Sequence, residues 1–131
     1  LCFSHAIDLR MSEIGEGVTS RIYVVSPTIV KKIQKRNKNK VSARYQYQVQ
    51  QIASELQFTT LYIPRVYEYG ANWYTMERID TTRPLNTTPE EVAFCSQMQR
   101  CGYIANDYEL YLQPDGRVAL VDFDRFITAS I

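Results

Sequence analysis

The chain has 131 residues, 45% hydrophobic and 22% charged, enough for one compact domain with a sizeable core and unlike the composition of a disordered chain. Its net charge of +1 argues against a strong global pull toward nucleic acid or an anionic membrane. No stretch approaches the roughly 18 apolar residues of a membrane span, and one histidine with three cysteines offers little for a zinc site or an imidazole base.

The start, Leu1 to His5, is too short and polar for a signal peptide, and the missing initiator Met is expected of a trimmed N-terminus. From Ile14 to Ile33 the pattern predicts strands and turns. Arg21-Ile22-Tyr23-Val24-Val25 is β-rich, Ser26-Pro27-Thr28 is a turn, and Ile29-Val30-Lys31-Lys32-Ile33 is a further strand. Lys31, Lys32, Lys35, Arg36, Lys38 and Lys40 form a basic run whose later part reads as a charged loop.

Ser42 to Phe58 lacks Gly and Pro, and Val41, Tyr45, Val49, Ile52 and Leu56 recur at helical spacing. A helix burying that stripe is predicted. After Ile63-Pro64, Val66 to Gly70 and Trp73 to Ile79 read as two strands. Thr88 as cap, Pro89 in the first turn and Glu91 at the capping-box position predict a second helix. It ends near Gly102 and turns Val92, Cys95 and Met98 inward. Leu110 to Leu112 and Val118 to Val121 alternate around Pro114-Asp115-Gly116, a hairpin. This β-β-β-α-β-β-α-β-β order is α+β and lacks the βαβ repeat of a dinucleotide fold. Cys2, Cys95 and Cys101 are odd in number and form no CxxC pair, so they read as buried free thiols of a reducing, intracellular (cytoplasmic) compartment.

Three segments carry candidate chemistry. In Ile14-Gly15-Glu16-Gly17-Val18-Thr19-Ser20, two glycines inside a hairpin let backbone N–H groups approach phosphate oxygens. Lys31, on the following strand, is placed to reach phosphates. In Val121-Asp122-Phe123-Asp124, a carboxylate at a strand end beside a bulky anchor suits a Mg²⁺ ligand. Each also has an ordinary structural explanation: a turn, a solvated lysine, a surface Asp.

Taken together and in this order, these segments resemble the protein-kinase-like family. The resemblance spans Ile14 to Phe126 and implies a kinase-like N-lobe, a five-stranded antiparallel sheet plus one helix, over residues 14–79. It implies a truncated C-lobe of one helix and a β-hairpin over residues 80–131, the whole being a single domain. Gly15, Glu16, Gly17 and Val18 resemble the nucleotide loop. Lys31 resembles the phosphate lysine, with Lys32 as the register alternative, since adjacent strand residues face opposite ways. Tyr74 to Ile79 resembles the strand entering the hinge, with Met76 beside the adenine and the backbones of Glu77 and Ile79 at its edge. Asp122 stands at the magnesium aspartate.

Departures accompany the resemblance. The helix offers Gln46 or Gln50, not Glu, to the strand lysine. Anchoring the catalytic loop on Gly102 puts Ala105 at the family His position and Asp107 at the base position. Anchoring on Gly116 and Asp122 puts Ile104 at the base position. Both place Glu109 where the metal-binding Asn belongs. The chain ends at Ile131, soon after Asp122, without the substrate-holding helices of a kinase. The expectation is an ATP- and Mg²⁺-binding domain (Mn²⁺ as substitute) of serine/threonine-kinase-like type, its phosphotransferase activity weak or lost. Lys31, Asp107 and Asp122 would be its catalytic set, and Asp122 and Glu109 its metal ligands. The alternative is a pseudokinase-like interaction module with a vestigial site. Expected partners are a nucleotide and another protein. The basic run reads as a solvated loop, not a nucleic-acid patch.

Overall fold

In a computed structural model of the chain, residues 13–16, 20–35 and 41–129 are described. Gly17, Val18, Cys2 and the basic residues Arg36, Lys38 and Lys40 lie outside them. The elements are β1 (Glu13–Glu16), β2 (Ser20–Ser26), β3 (Ile29–Gln34), α1 (Ala43–Ser54), β4 (Leu61–Tyr62), β5 (Val66–Tyr69) and β6 (Trp73–Glu77), followed by β7 (Pro84–Leu85), α2 (Glu91–Arg100), β8 (Tyr103–Ile104), β9 (Glu109–Leu112), β10 (Val118–Val121) and β11 (Ile127–Thr128). The class is α+β, as expected.

The first sheet has five strands in the order β1-β2-β3-β6-β5, every neighbouring pair antiparallel. The turn at Pro27-Thr28 closes the β2–β3 hairpin, with Val24 opposite Val30 and Ile22 opposite Lys32. Between β5 and β6 the chain turns tightly at Gly70, where a Cβ would come within 2.2 Å of the Trp73 indole nitrogen. A side chain there would have to displace the indole.

The second sheet runs β4-β10-β9-β7 and a two-stranded ribbon pairs β11 with β8. The β9–β10 hairpin was predicted. The short strands β4, β7, β8 and β11 were not, because each is two residues long and is defined by distant partners. β4 adds parallel to β10, the rest antiparallel.

Helix α1 is capped by the Ser42 hydroxyl, which accepts from the Tyr45 N–H at 3.0 Å. It stops before the predicted Phe58, tightening through bonds from the Glu55 N–H to Ile52 and from the Leu56 N–H to Ala53. Its buried positions are Ala43, Gln46, Val49, Gln50 and Ala53. The buried stripe is therefore centred on two glutamines, and Tyr45, Ile52 and Leu56 are only half-buried. Ala43 joins a small core with Val30, Val66, Tyr74 and Met76. Val49 and Ala53 join the larger core of Phe94, Met98, Leu120, Phe123 and Phe126. One helix thus seals both layers.

The entry to α2 also departs from expectation. Thr88 gives no side-chain cap, and its buried hydroxyl has no hydrogen-bond partner among the described residues. Glu90 instead accepts the backbone N–H groups of Thr59, Thr60 and Leu61 at 2.7–2.8 Å. Phe94 and Met98 face inward, while Val92 is 81% exposed. The helix ends as predicted, with Gly102 at φ 96°. Cys95 and Cys101 are free, but Cys101 is exposed and Cys95 half-buried, so neither is the buried thiol expected. No helix among the described residues is long and apolar enough to cross a membrane.

Candidate functional site: a cleft between two sheets

Strand alternation decides which side chains meet. Val30 and Lys32 point to one face of β3 and Lys31 to the other. Lys32 stands opposite Ile22 on β2 and Tyr74 on β6, and Val30 stands opposite Met76. That face overhangs the end of the β9–β10 hairpin and encloses a cavity of about 560 Å³. Ile14, Gly15, Ser20, Ile22, Val30 and Met76 line it from the first sheet. The connection after β6 contributes Arg78, Ile79 and Thr81. Opposite lie Asp107, Glu109, Tyr111, Val121, Asp122, Asp124 and Arg125. One part of the cleft is therefore an apolar slot, and the other is crowded with charge.

The two sheets are joined across the cleft by an ion pair. Lys32 Nζ donates to Asp122 Oδ1 at 3.4 Å, with the Lys32 side chain 9% exposed. Lys31, the residue expected to meet phosphate, is not in the cavity. Its ammonium lies over the Trp73 ring at 4.4 Å on the other face. The register alternative, Lys32, occupies the position assigned to Lys31.

Asp122 sits immediately after β10 with φ 82°, a left-handed conformation rare for residues other than glycine. Phe123, completely buried and 4.6 Å from Phe126, anchors the turn that holds it there. Strain of this kind persists only where the surroundings enforce it. Burial pushes the Asp122 carboxyl up, Lys32 opposes this, and Asp124 and Glu109 reinforce it, so it titrates at about 6. Burial works against the Lys32 charge, but Tyr74, Asp122 and Asp124 outweigh it and its pKa rises to about 12. An excess of negative charge thus surrounds one buried ammonium.

Glu109 begins β9 opposite Val121, one residue before Asp122. Its carboxylate accepts the Tyr111 hydroxyl at 2.9 Å. Burial and then Glu109 raise the Tyr111 phenol to about 12. Asp107 is exposed at the cavity edge with φ 53°. Ile104 pairs with Ile127 on the ribbon and lines no part of the cavity. Of the two residues read for the base position, only Asp107 lines the cleft.

Met76 and Ile79 line the cavity; Glu77 does not. The Glu77 N–H donates to Arg65 O at 2.7 Å and its side chain accepts from the Arg65 N–H at 3.3 Å. Gly15 lines the cavity from β1. Glu16 lies in β1, and Gly17 and Val18 fall outside the described residues. Sequence reasoning gave no role to Tyr111, Arg78 or Arg125. Tyr111 was within reach of it, since a residue two along from Glu109 shares its face. No pattern pointed to the two arginines.

The carboxylates supply hard oxygen donors of the type that Mg²⁺ takes. Among the described residues no group of three His, Cys, Asp or Glu side chains converges as a metal site, so the protein would offer fewer ligands than a complete cage. No protein-family model matches this sequence, and no curated protein matches it.

Proposed function

We propose that this chain is a protein-kinase-like domain that binds ATP with Mg²⁺ in the cleft between its two sheets. The Lys32–Asp122 pair carries the reading. A strand lysine of the five-stranded antiparallel sheet meets a strained aspartate after β10 across the cleft. Ile22, Val30, Met76 and Val121 would hold the adenine, with the backbone of Ile79 along its edge. Lys32 would orient phosphates. Asp122 and Glu109 would hold the ion, whose other ligands come from phosphate oxygens and water, as is usual for Mg²⁺. A bound ion would neutralise phosphate charge.

One feature favours the non-catalytic form of this reading. Ala105, standing where the family has His, packs against the core and brings no imidazole to the exposed Asp107. Transfer relies mostly on positioning and electrostatics, so a loosely held acid costs rate more than it costs binding. Thermal unfolding with ATP, with and without Mg²⁺, tests the assignment. ATP should raise the Tm, Mg²⁺ should enlarge the rise, and Asp122→Asn should abolish that enlargement. An unchanged Tm with ATP and Mg²⁺ together would refute nucleotide binding.

A further inference from the structure

Lys32 faces a second partner as well as Asp122. It stands opposite Tyr74 in the β3–β6 register, so both side chains share one face of the sheet. Lys32 Nζ is 5.9 Å from the centre of the Tyr74 ring. Behind that ring lies helix α1. The Tyr74 hydroxyl donates to Gln50 Oε1 at 3.1 Å. Gln50 Nε2 donates to Pro64 O at 3.0 Å and approaches Met76 Sδ at 3.8 Å. Lys32, Tyr74 and Gln50 are 8%, 1% and 0% exposed, so bulk water hardly competes.

The direction of this chain follows from its donors. With Nε2 given to Pro64, Gln50 presents Oε1 as an acceptor. The single phenol proton of Tyr74 goes to it. What remains on the Tyr74 oxygen is acceptor capacity, and an ammonium is a donor only.

We propose that Gln50 and Tyr74 form a neutral relay that positions the Lys32 ammonium at the cleft independently of Asp122. Its consequence for binding rests on the nucleotide reading; its geometry does not. When a cation draws Asp122 away, Lys32 keeps its aim. Because the relay carries no charge, the ammonium stays fully available to phosphate. Gln50 and Tyr74 are positioning residues and touch no phosphate themselves.

Two substitutions test the relay. Tyr74→Phe removes one hydroxyl and keeps the ring. Gln50→Met keeps the length and removes the acceptor. The first readout is the mobility of the Lys32 side chain in the free protein, followed by carbon relaxation at Cε. The second is the Kd for ATP and for adenosine, in the unaltered protein and in Lys32→Met. Both substitutions should loosen the Lys32 side chain. Each should weaken ATP about twofold to tenfold, the range of a lost neutral hydrogen bond, and leave adenosine unchanged. In Lys32→Met, Tyr74→Phe should weaken ATP no further. The relay is overturned by an unloosened Lys32 in both variants, by equal weakening of ATP and adenosine, or by an additive loss in Lys32→Met. If the unaltered protein binds no ATP while Tyr74→Phe still loosens Lys32, the nucleotide reading fails and the relay stands.

Discussion

Lys31 and Lys32 are chemically identical neighbours, and a strand sends them to opposite faces. Lys32 is buried with Asp122 at 3.4 Å, whereas Lys31 covers Trp73. Lys32→Met should therefore weaken ATP binding by about 1.5–3 kcal/mol, roughly tenfold to a hundredfold in Kd. Lys31→Met should leave the Kd unchanged and cost only a cation–π contact, about 0.5–1 kcal/mol of stability. Calorimetric titration of both variants decides this; equal effects would show that the cleft is not the site. Asp122 gives a second prediction at this scale. It titrates at about 6 in the folded protein, against 3.8 ordinarily. The folded state holds the extra proton between those values, so this group's contribution to stability falls as pH rises through that window and stays low above it. Lys32 favours the ionised form, while burial, Asp124 and Glu109 oppose it. A divalent cation relieves the opposition only once the proton has left. Mg²⁺ alone should therefore raise the Tm more at pH 7.5 than at pH 5; equal shifts would remove Asp122 from the metal site.

At the scale of elements, burial and apolar pattern do not always coincide. In α2 the exposed Val92 and the buried Met98 are both apolar. Val92→Lys should change stability by no more than about 0.5 kcal/mol, and Met98→Ala should cost about 2–5 kcal/mol. Urea unfolding measures both, and a large cost at Val92 would mean that α2 is rotated. The same tension explains what was legible in the sequence. The strands of the first sheet and the β9–β10 hairpin announce themselves by alternation and turn residues, and Asp122, Asp107 and Glu109 all line the cleft. Helix α1 is legible as an element and Val49 of its apolar stripe is buried, but the buried face is turned toward the glutamines. Apolar periodicity points to Tyr45 and Ile52, whereas the helix buries Gln46 and Gln50. Gln50 is satisfied by Tyr74 and Pro64, partners from another element that no local pattern reveals. Thr88 was preferred to Glu90 for the same reason: what Glu90 binds is the backbone of residues 59–61, remote in sequence.

At the scale of the whole molecule, the cleft is a seam between two sheets, and no single element forms a complete site. Lys32 comes from the first sheet and Asp122 from the second. Between them run α1, which contributes to both cores, and the connection through Arg78, Ile79 and Thr81. A ligand bridging the seam stabilises both sides at once, by about 2.7 kcal/mol at a hundredfold excess over its Kd. Hydrogen exchange resolves this by region. Mg-ATP should slow exchange in β2 and β3 and, at the same nucleotide concentration, in β9 and β10, with little change in the β8–β11 ribbon, which lies outside the cleft. On the nucleotide proposal, adenosine without metal would contact the apolar slot and leave Asp122 untouched, so its protection should be strongest around Val30 and Met76 and weak at β9. If Mg-ATP protected only one sheet, or protected both no better than adenosine does, then Lys32 and Asp122 would not be gripping one ligand, and their pairing would be a strut that holds the two layers together.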